Sequence, residues 1–187
     1  MGAIAWTHYP LTTTAQPTRL NSGEWNCVLI IDRMSGLELF KSIVAGSSPH
    51  PPIAATMGFD LTAAEVGSAT FECETGHHML NHFGTVHGAV ALCLIDSAAG
   101  CAIHTLLPAG VGYASIETKV NYVRHLTIKS GAVRAVGIVL SQGKKIATAE
   151  AKLYTSDGEL AAHGSSTLLI MPNVKWRIAG PDEPHLQ

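Results

Sequence analysis

The sequence predicts an α+β fold in which one long apolar helix is wrapped by a curved antiparallel sheet of five or six strands. Three observations point to it. Gly88 to Leu107 is a single run that is apolar on nearly every face, and such a helix has to be covered on all sides. Four strand-length runs follow it with turn signals between them, the spacing expected of an antiparallel meander. Two further strand-length runs precede it, which brings the sheet to the size needed to curl around one helix.

Each element has a local reason. Residues 1 to about 33 carry Pro10, Pro17 and a Thr12-Thr13-Thr14 run and read as an extended or disordered arm. Ser35 and Glu38 match a capping box, and Leu37, Leu39, Phe40, Ile43 and Val44 then give a short amphipathic helix that ends at Gly46. Pro49, Pro51 and Pro52 stop it. Phe59 to Thr62 and Val66 to Glu74 read as two strands, and Gly76 to Val86 as a polar loop. The long helix of about five turns, ~30 Å at 1.5 Å per residue, ends before Pro108 and Gly110. The later strands are Gly112 to Val123, Gly131 to Leu140, Lys145 to Thr155 and Leu160 to Ile170. Ser141-Gln142-Gly143 turns one pair and Ser156-Asp157-Gly158 another. Gly137, in mid-strand, marks a bulge or a close approach. The expected organisation is an arm over residues 1–50, one domain over 51–172, and a polar tail over 173–187.

Composition narrows the function. Of the 187 residues, 47% are hydrophobic and 14% charged, which is little charge for a solvated monomer and points to an oligomer with a large apolar interface. A net charge of −2 supplies no basic field for nucleic acid. Cys27, Cys73, Cys93 and Cys101 form no CxxC pair and read as reduced thiols in a cytoplasmic protein. Met1 to Gln16 has neither the basic start nor the apolar run of a signal peptide, and Cys27 to Ile31 is too short to span a membrane.

The chemistry concentrates between Asn81 and Asp96. Gly88 stands where the loop becomes the long helix, so its N–H is one of the unpaired donors of the first turn, at the positive end of the helix dipole. Without a Cβ it lets a ligand come close, and the N–H can hold a developing oxyanion. Asp96 is the one carboxylate in the apolar helix and has no cation nearby in sequence. An acid kept in such surroundings is costly and so a candidate for chemistry. It lies eight residues after Gly88, about 12 Å along the axis, too far for one carbonyl to touch both. Two such helices packed antiparallel about a two-fold axis can bring Gly88 of one beside Asp96 of the other, which predicts two composite sites per dimer.

Asn81-x2-Gly84-x2-His87-Gly88-x7-Asp96 resembles the signature of the PaaI-type branch of the hotdog-fold acyl-CoA thioesterases. Pro51-Pro52 before Met57-Gly58, the run Ser115 to Tyr122, and the stretch from Asp157-Gly158 to Thr167 resemble flanking parts of that family. The resemblance covers roughly residues 50 to 171. It implies that Asp96 is the catalytic carboxylate, acting as general base on water or as nucleophile, and that Gly88 is the backbone donor to the thioester oxygen. It implies that Asn81 sits near the carbonyl and the attacking water, that His87 helps polarise or hold the thioester, and that Ser115 orients the carboxylate or water. Strand alternation, with Ile116, Thr118 and Val120 towards the helix, would put Ser115 on the opposite face. The resemblance further implies a homodimer with a continuous sheet, often doubled to a tetramer. No cofactor is called for, because CoA enters as part of the substrate.

A thioester suits so small a set of groups. Its leaving thiol has a pKa of roughly 8.5 to 9, so a strong general acid is dispensable. Arg124 at a strand end and Lys144-Lys145 at a hairpin are candidates for the CoA phosphates. His77, His78, His82 and His87 cluster in one loop but lack the ligand spacing of a metal site. Two other readings remain: a hydratase or dehydratase on an acyl thioester, suggested by His82-Phe83, and a non-catalytic acyl-CoA-binding module.

Overall fold

The computed structural model describes residues 33–172. The N-terminal arm, Cys27 and the C-terminal tail lie outside the described residues. Helix α1 (Gly36–Val44) starts with the expected capping box: Glu38 N–H donates to Ser35 Oγ at 3.4 Å, and Ser35 N–H donates to Glu38 Oε2 at 2.8 Å. Its apolar stripe, Leu39, Phe40 and Ile43, is buried in the common core. Gly36 N–H donates to Leu107 O at 3.1 Å, and a side chain at Gly36 would collide with the His104 carbonyl. The packed unit therefore includes α1.

Helix α2 (Pro52–Met57) stands where the prolines were read only as breakers. Pro52 occupies the first helical position, where a missing N–H costs nothing, so the same residue that stops one helix opens the next. Gly58, at φ 70°, ends it and leads into β1 (Phe59–Glu65). After β2 (Ser68–Glu74) the loop holds a single 3-10 turn, His77–Met79, and a bridge between Leu80 and Val86.

Helix α3 (Gly88–His104) carries the core. It ends one turn earlier than expected, with Thr105 at its C-cap. Thr105 Oγ1 donates to Ala102 O and accepts the Gly67 N–H at 2.8 Å, pinning the β1–β2 turn to the helix end. The remaining strands are β3 (Val111–Tyr122), β4 (Ala132–Gln142), β5 (Ile146–Tyr154) and β6 (Leu160–Pro172). All neighbours are antiparallel, in the order β1-β2-β4-β5-β6-β3.

The sheet wraps α3 closely because small residues face it. Leu94, Ile95, Ala98, Ala99, Ala102 and Ile103 on the helix, with Val133, Ala135, Ala149, Leu153 and Leu168 on the sheet, are wholly removed from solvent. Gly137 is the close approach: a Cβ there would run into the Ala98 carbonyl. Among the described residues of one chain, coverage of the helix is incomplete. Ala89, Leu92, Cys93 and Asp96, at the i, i+3, i+4, i+7 spacing of one helical face, stay at least partly open. Beside them runs β3, a sheet edge of twelve residues whose Ile116 and Tyr122 are exposed.

Candidate active site

Asp96 projects from α3 towards β3, and the strand meets it with two hydroxyls. Ser115 Oγ donates to Asp96 Oδ1 at 3.0 Å, and Thr118 Oγ1 donates to the same oxygen at 2.6 Å. Residues three apart on a regular strand point to opposite faces. Here the pairing of β3 with β6 shifts between Ser115 and Glu117, leaving Ile116 as the extra residue of a bulge. The bulge turns Ser115 to the helix side and Ile116, 60% exposed, away from it. The alternation argument that set Ser115 opposite the helix is thereby overturned. Thr118 and, behind it, Ser166 were missed as site residues. Thr118 had been placed on the helix-facing side, but nothing in the local sequence aimed it at Asp96.

The start of α3 is arranged around His87 and Gly88. His87 is the N-cap, and its Nδ1 accepts the Ala89 N–H at 3.0 Å. A neutral ring in that arrangement carries its proton on Nε2, leaving one donor at the exposed edge. Val90 N–H goes to His87 O, whereas Gly88 N–H has no partner among the described residues. Tyr122 at the end of β3 donates from its hydroxyl to Gly88 O at 3.2 Å, a contact the sequence did not signal.

Asn81 binds its own loop. Its Oδ1 accepts from Phe83 N–H at 2.9 Å and Thr85 N–H at 3.3 Å, and its Nδ2 donates to Thr85 Oγ1 at 2.9 Å. Gly84, at φ 79°, allows the tight return. The loop is tied to the core by Val86 N–H to Leu126 O and His87 N–H to Met79 O. Asn81 thus shapes the segment that delivers His87 and Gly88.

Two separate clefts result. One, of about 390 Å³, opens beside His87 and Gly88 and is walled by Tyr122, Arg124, His125 and Leu126. The other, of about 340 Å³, lies over Asp96 and is lined by Ala89, Leu92, Cys93, Ser115 and Thr118. They share no residue, so one chain does not bring Gly88 N–H and Asp96 onto a single substrate. Arg124 stands at the first cleft, paired with Glu159. Lys144 and Lys145 are exposed at the β4–β5 hairpin. That hairpin adjoins Leu169 of β6, whereas Arg124 adjoins Ala161, so the structure separates Arg124 from the two lysines. Among the described residues no group of three His, Cys, Asp or Glu side chains could hold a metal ion.

The thiols near the site are not activated. Burial pushes Cys101 up to about 12 and raises Cys93 above its ordinary value.

A family model described as the thioesterase superfamily matches residues 83–162, which include Gly88, Asp96 and all of β3. A Caenorhabditis elegans protein named "Putative esterase F42H10.6" is 32% identical over 118 residues, covering 61% of this chain and 68% of that protein. The chain belongs to the thioesterase superfamily. Among solved structures, Escherichia coli PaaI, from the phenylacetic acid degradation operon, aligns with a TM-score of 0.65 at 17% identity, over 75% of this chain and 99% of PaaI. A thioesterase from Haemophilus influenzae aligns with a TM-score of 0.62 at 20% identity, over 74% of this chain and 92% of its own. The fold is accordingly the hotdog fold that the motif's resemblance implied. Among its described residues no helix is long and apolar enough to cross a membrane.

Proposed function

We propose that this thioesterase hydrolyses acyl-CoA to a carboxylic acid and CoA in a site shared by two subunits of a homodimer. The observation that carries the reading is the division of the site. An oriented carboxylate, and an amide with no partner among the described residues, sit on one helix, in two clefts with no common residue. An antiparallel second copy along the open stripe of α3 and the β3 edge closes both clefts at once.

The chemistry follows from the parts. The thioester oxygen accepts the partner subunit's Gly88 N–H, and the helix dipole stabilises the negative charge that develops there. His87, with its proton on Nε2, adds a donor beside it. Asp96 acts in one of two ways. As a base it takes a proton from water, whose oxygen attacks the carbonyl carbon; the thiolate leaves and recovers the proton. As a nucleophile its own oxygen attacks, the thiolate leaves, and water cleaves the resulting anhydride. Either path gives one acid and one thiol.

The open path from the Gly88 cleft leads past Arg124 and His125, which suits the pantetheine arm and the phosphates of CoA. Lys144 and Lys145 could contribute only through another subunit. A cytoplasmic setting suits a CoA ester and the free thiols of Cys73, Cys93 and Cys101. The test is thiol release from a panel of short, medium, long and aromatic CoA esters. Asp96→Asn should lower turnover at least about a hundredfold while the oligomer and melting temperature stay unchanged. Wild-type turnover in that variant would remove Asp96 from the reaction.

A further inference from the structure

Asp96 is held through one oxygen only. Both Ser115 and Thr118 donate to Oδ1, while Oδ2 has no hydrogen-bond partner among the described residues. A carboxylate oxygen offers about two acceptor sites, so Oδ1 is filled. Behind Thr118 stands Ser166 of β6, its direct cross-strand partner and only 1% exposed. Ser166 Oγ donates to Glu117 O at 3.2 Å and lies 2.9 Å from Thr118 Oγ1. A hydroxyl has a single hydrogen to give. Thr118 gives its hydrogen to Asp96, so any hydrogen bond between the two hydroxyls runs from Ser166 to Thr118. The Ser166 hydrogen has two acceptors within reach, Glu117 O and Thr118 Oγ1, and when it turns to Thr118 the chain runs from the buried strand outwards: Ser166 to Thr118 to Asp96.

We propose that Thr118, backed by Ser166, is a positioning residue that fixes the Asp96 carboxylate through Oδ1 and reserves Oδ2 for the reaction. The proposal rests on the reading of Asp96 as the reacting carboxylate. Three features favour it over simple packing. The 2.6 Å bond from Thr118 is the shorter of the two to Asp96, as expected of a charge-assisted O–H···O⁻ bond. Hydroxyls in series polarise one another, so a Thr118 that receives from Ser166 donates more strongly. A reacting oxygen must be held close to its line of attack, and a carboxylate with no anchor on one side would sample several torsions.

The test compares kcat and KM for a CoA ester that the wild-type enzyme hydrolyses. Thr118→Val keeps the side-chain shape and removes the hydroxyl. It should lower kcat about tenfold or more with little change in KM, the scale of a lost hydrogen bond to a charged group. Thr118→Ser should restore kcat to within about threefold of wild type, since it returns the donor. Ser166→Ala should lower kcat several-fold in the wild-type background and hardly at all in Thr118→Val, because its effect passes through Thr118. Wild-type kcat in Thr118→Val, beside an inactive Asp96→Asn, would overturn the relay and leave the role of Asp96 intact. Full activity in Asp96→Asn would instead remove the reading on which the relay depends. Failure of Thr118→Ser to restore turnover, or additive losses in the double variant, would reduce Thr118 to packing. If Thr118→Val does not fold, Ser166→Ala decides: an unchanged kcat there counts against the proposal.

Discussion

Gly88 allows the amide to be tested separately from the glycine. His87 already has φ −63° and ψ 136°, the backbone region required of a residue before proline. Gly88 is the first residue of α3, where proline is well tolerated. Gly88→Pro therefore removes the N–H with little damage to the helix. It should lower kcat by about a hundredfold or more, the usual cost of losing an oxyanion donor. Gly88→Ala keeps the N–H, but its Cβ meets the Tyr122 ring at 3.2 Å, a contact the exposed tyrosine can relieve by moving. It should retain most activity. Equal turnover in the two variants would show that the amide is not the donor. His87 has a separate structural duty as N-cap, so His87→Ala should cost about 1 kcal/mol of stability besides any effect on rate.

At the level of elements, α1 is docked on the end of α3 through a buried histidine. The His104 ring lies edge-on to Phe40 of α1 at 5.2 Å and to Tyr113 of β3 at 5.4 Å. Burial without an ionised partner pushes its pKa down to about 4, from an ordinary 6.5. The sign follows directly. Above pH 6.5 the ring is neutral in both folded and unfolded chains and has no effect. As pH falls from 6.5 the unfolded chain takes up the proton first, so stability is lost until about pH 4, by about 3 kcal/mol in all. Urea unfolding across this range should show the loss, and His104→Phe should flatten that part of the profile. An identical pH profile in the variant would mean that other groups drive the acid sensitivity.

For the whole molecule the decisive question is whether two subunits share each site. Mixing chains answers it. Asp96→Asn and Gly88→Pro homodimers should both be nearly inactive. A mixed dimer has one site that combines the intact Asp96 of one chain with the intact Gly88 of the other. After refolding an equal mixture, about a quarter of wild-type activity should return, since half the dimers are mixed and half their sites intact. If each site were made by one chain, no activity would return. The exposed Leu92 lies on the open stripe of α3, so the proposed dimer predicts that Leu92→Arg yields an inactive monomer by light scattering.

By itself the sequence determined the parts that depend on local pattern. The capping box at Ser35, the apolar run of α3, the Asp157-Gly158 turn and the alternating strands each carry their own signal, and together they dictate a helix wrapped by an antiparallel sheet. The interval from Gly88 to Asp96 was also legible, because a helix converts residue spacing into distance. Tertiary structure decided what surrounds Asp96. The one-residue bulge at Ile116 is set by the pairing of β3 with the distant β6, and it brings Ser115 onto the same face as Thr118, so that both meet the carboxylate. Ser166 joins them for the same reason. Local pattern is blind to register between distant strands, and in this molecule that register chose the groups that hold the acid.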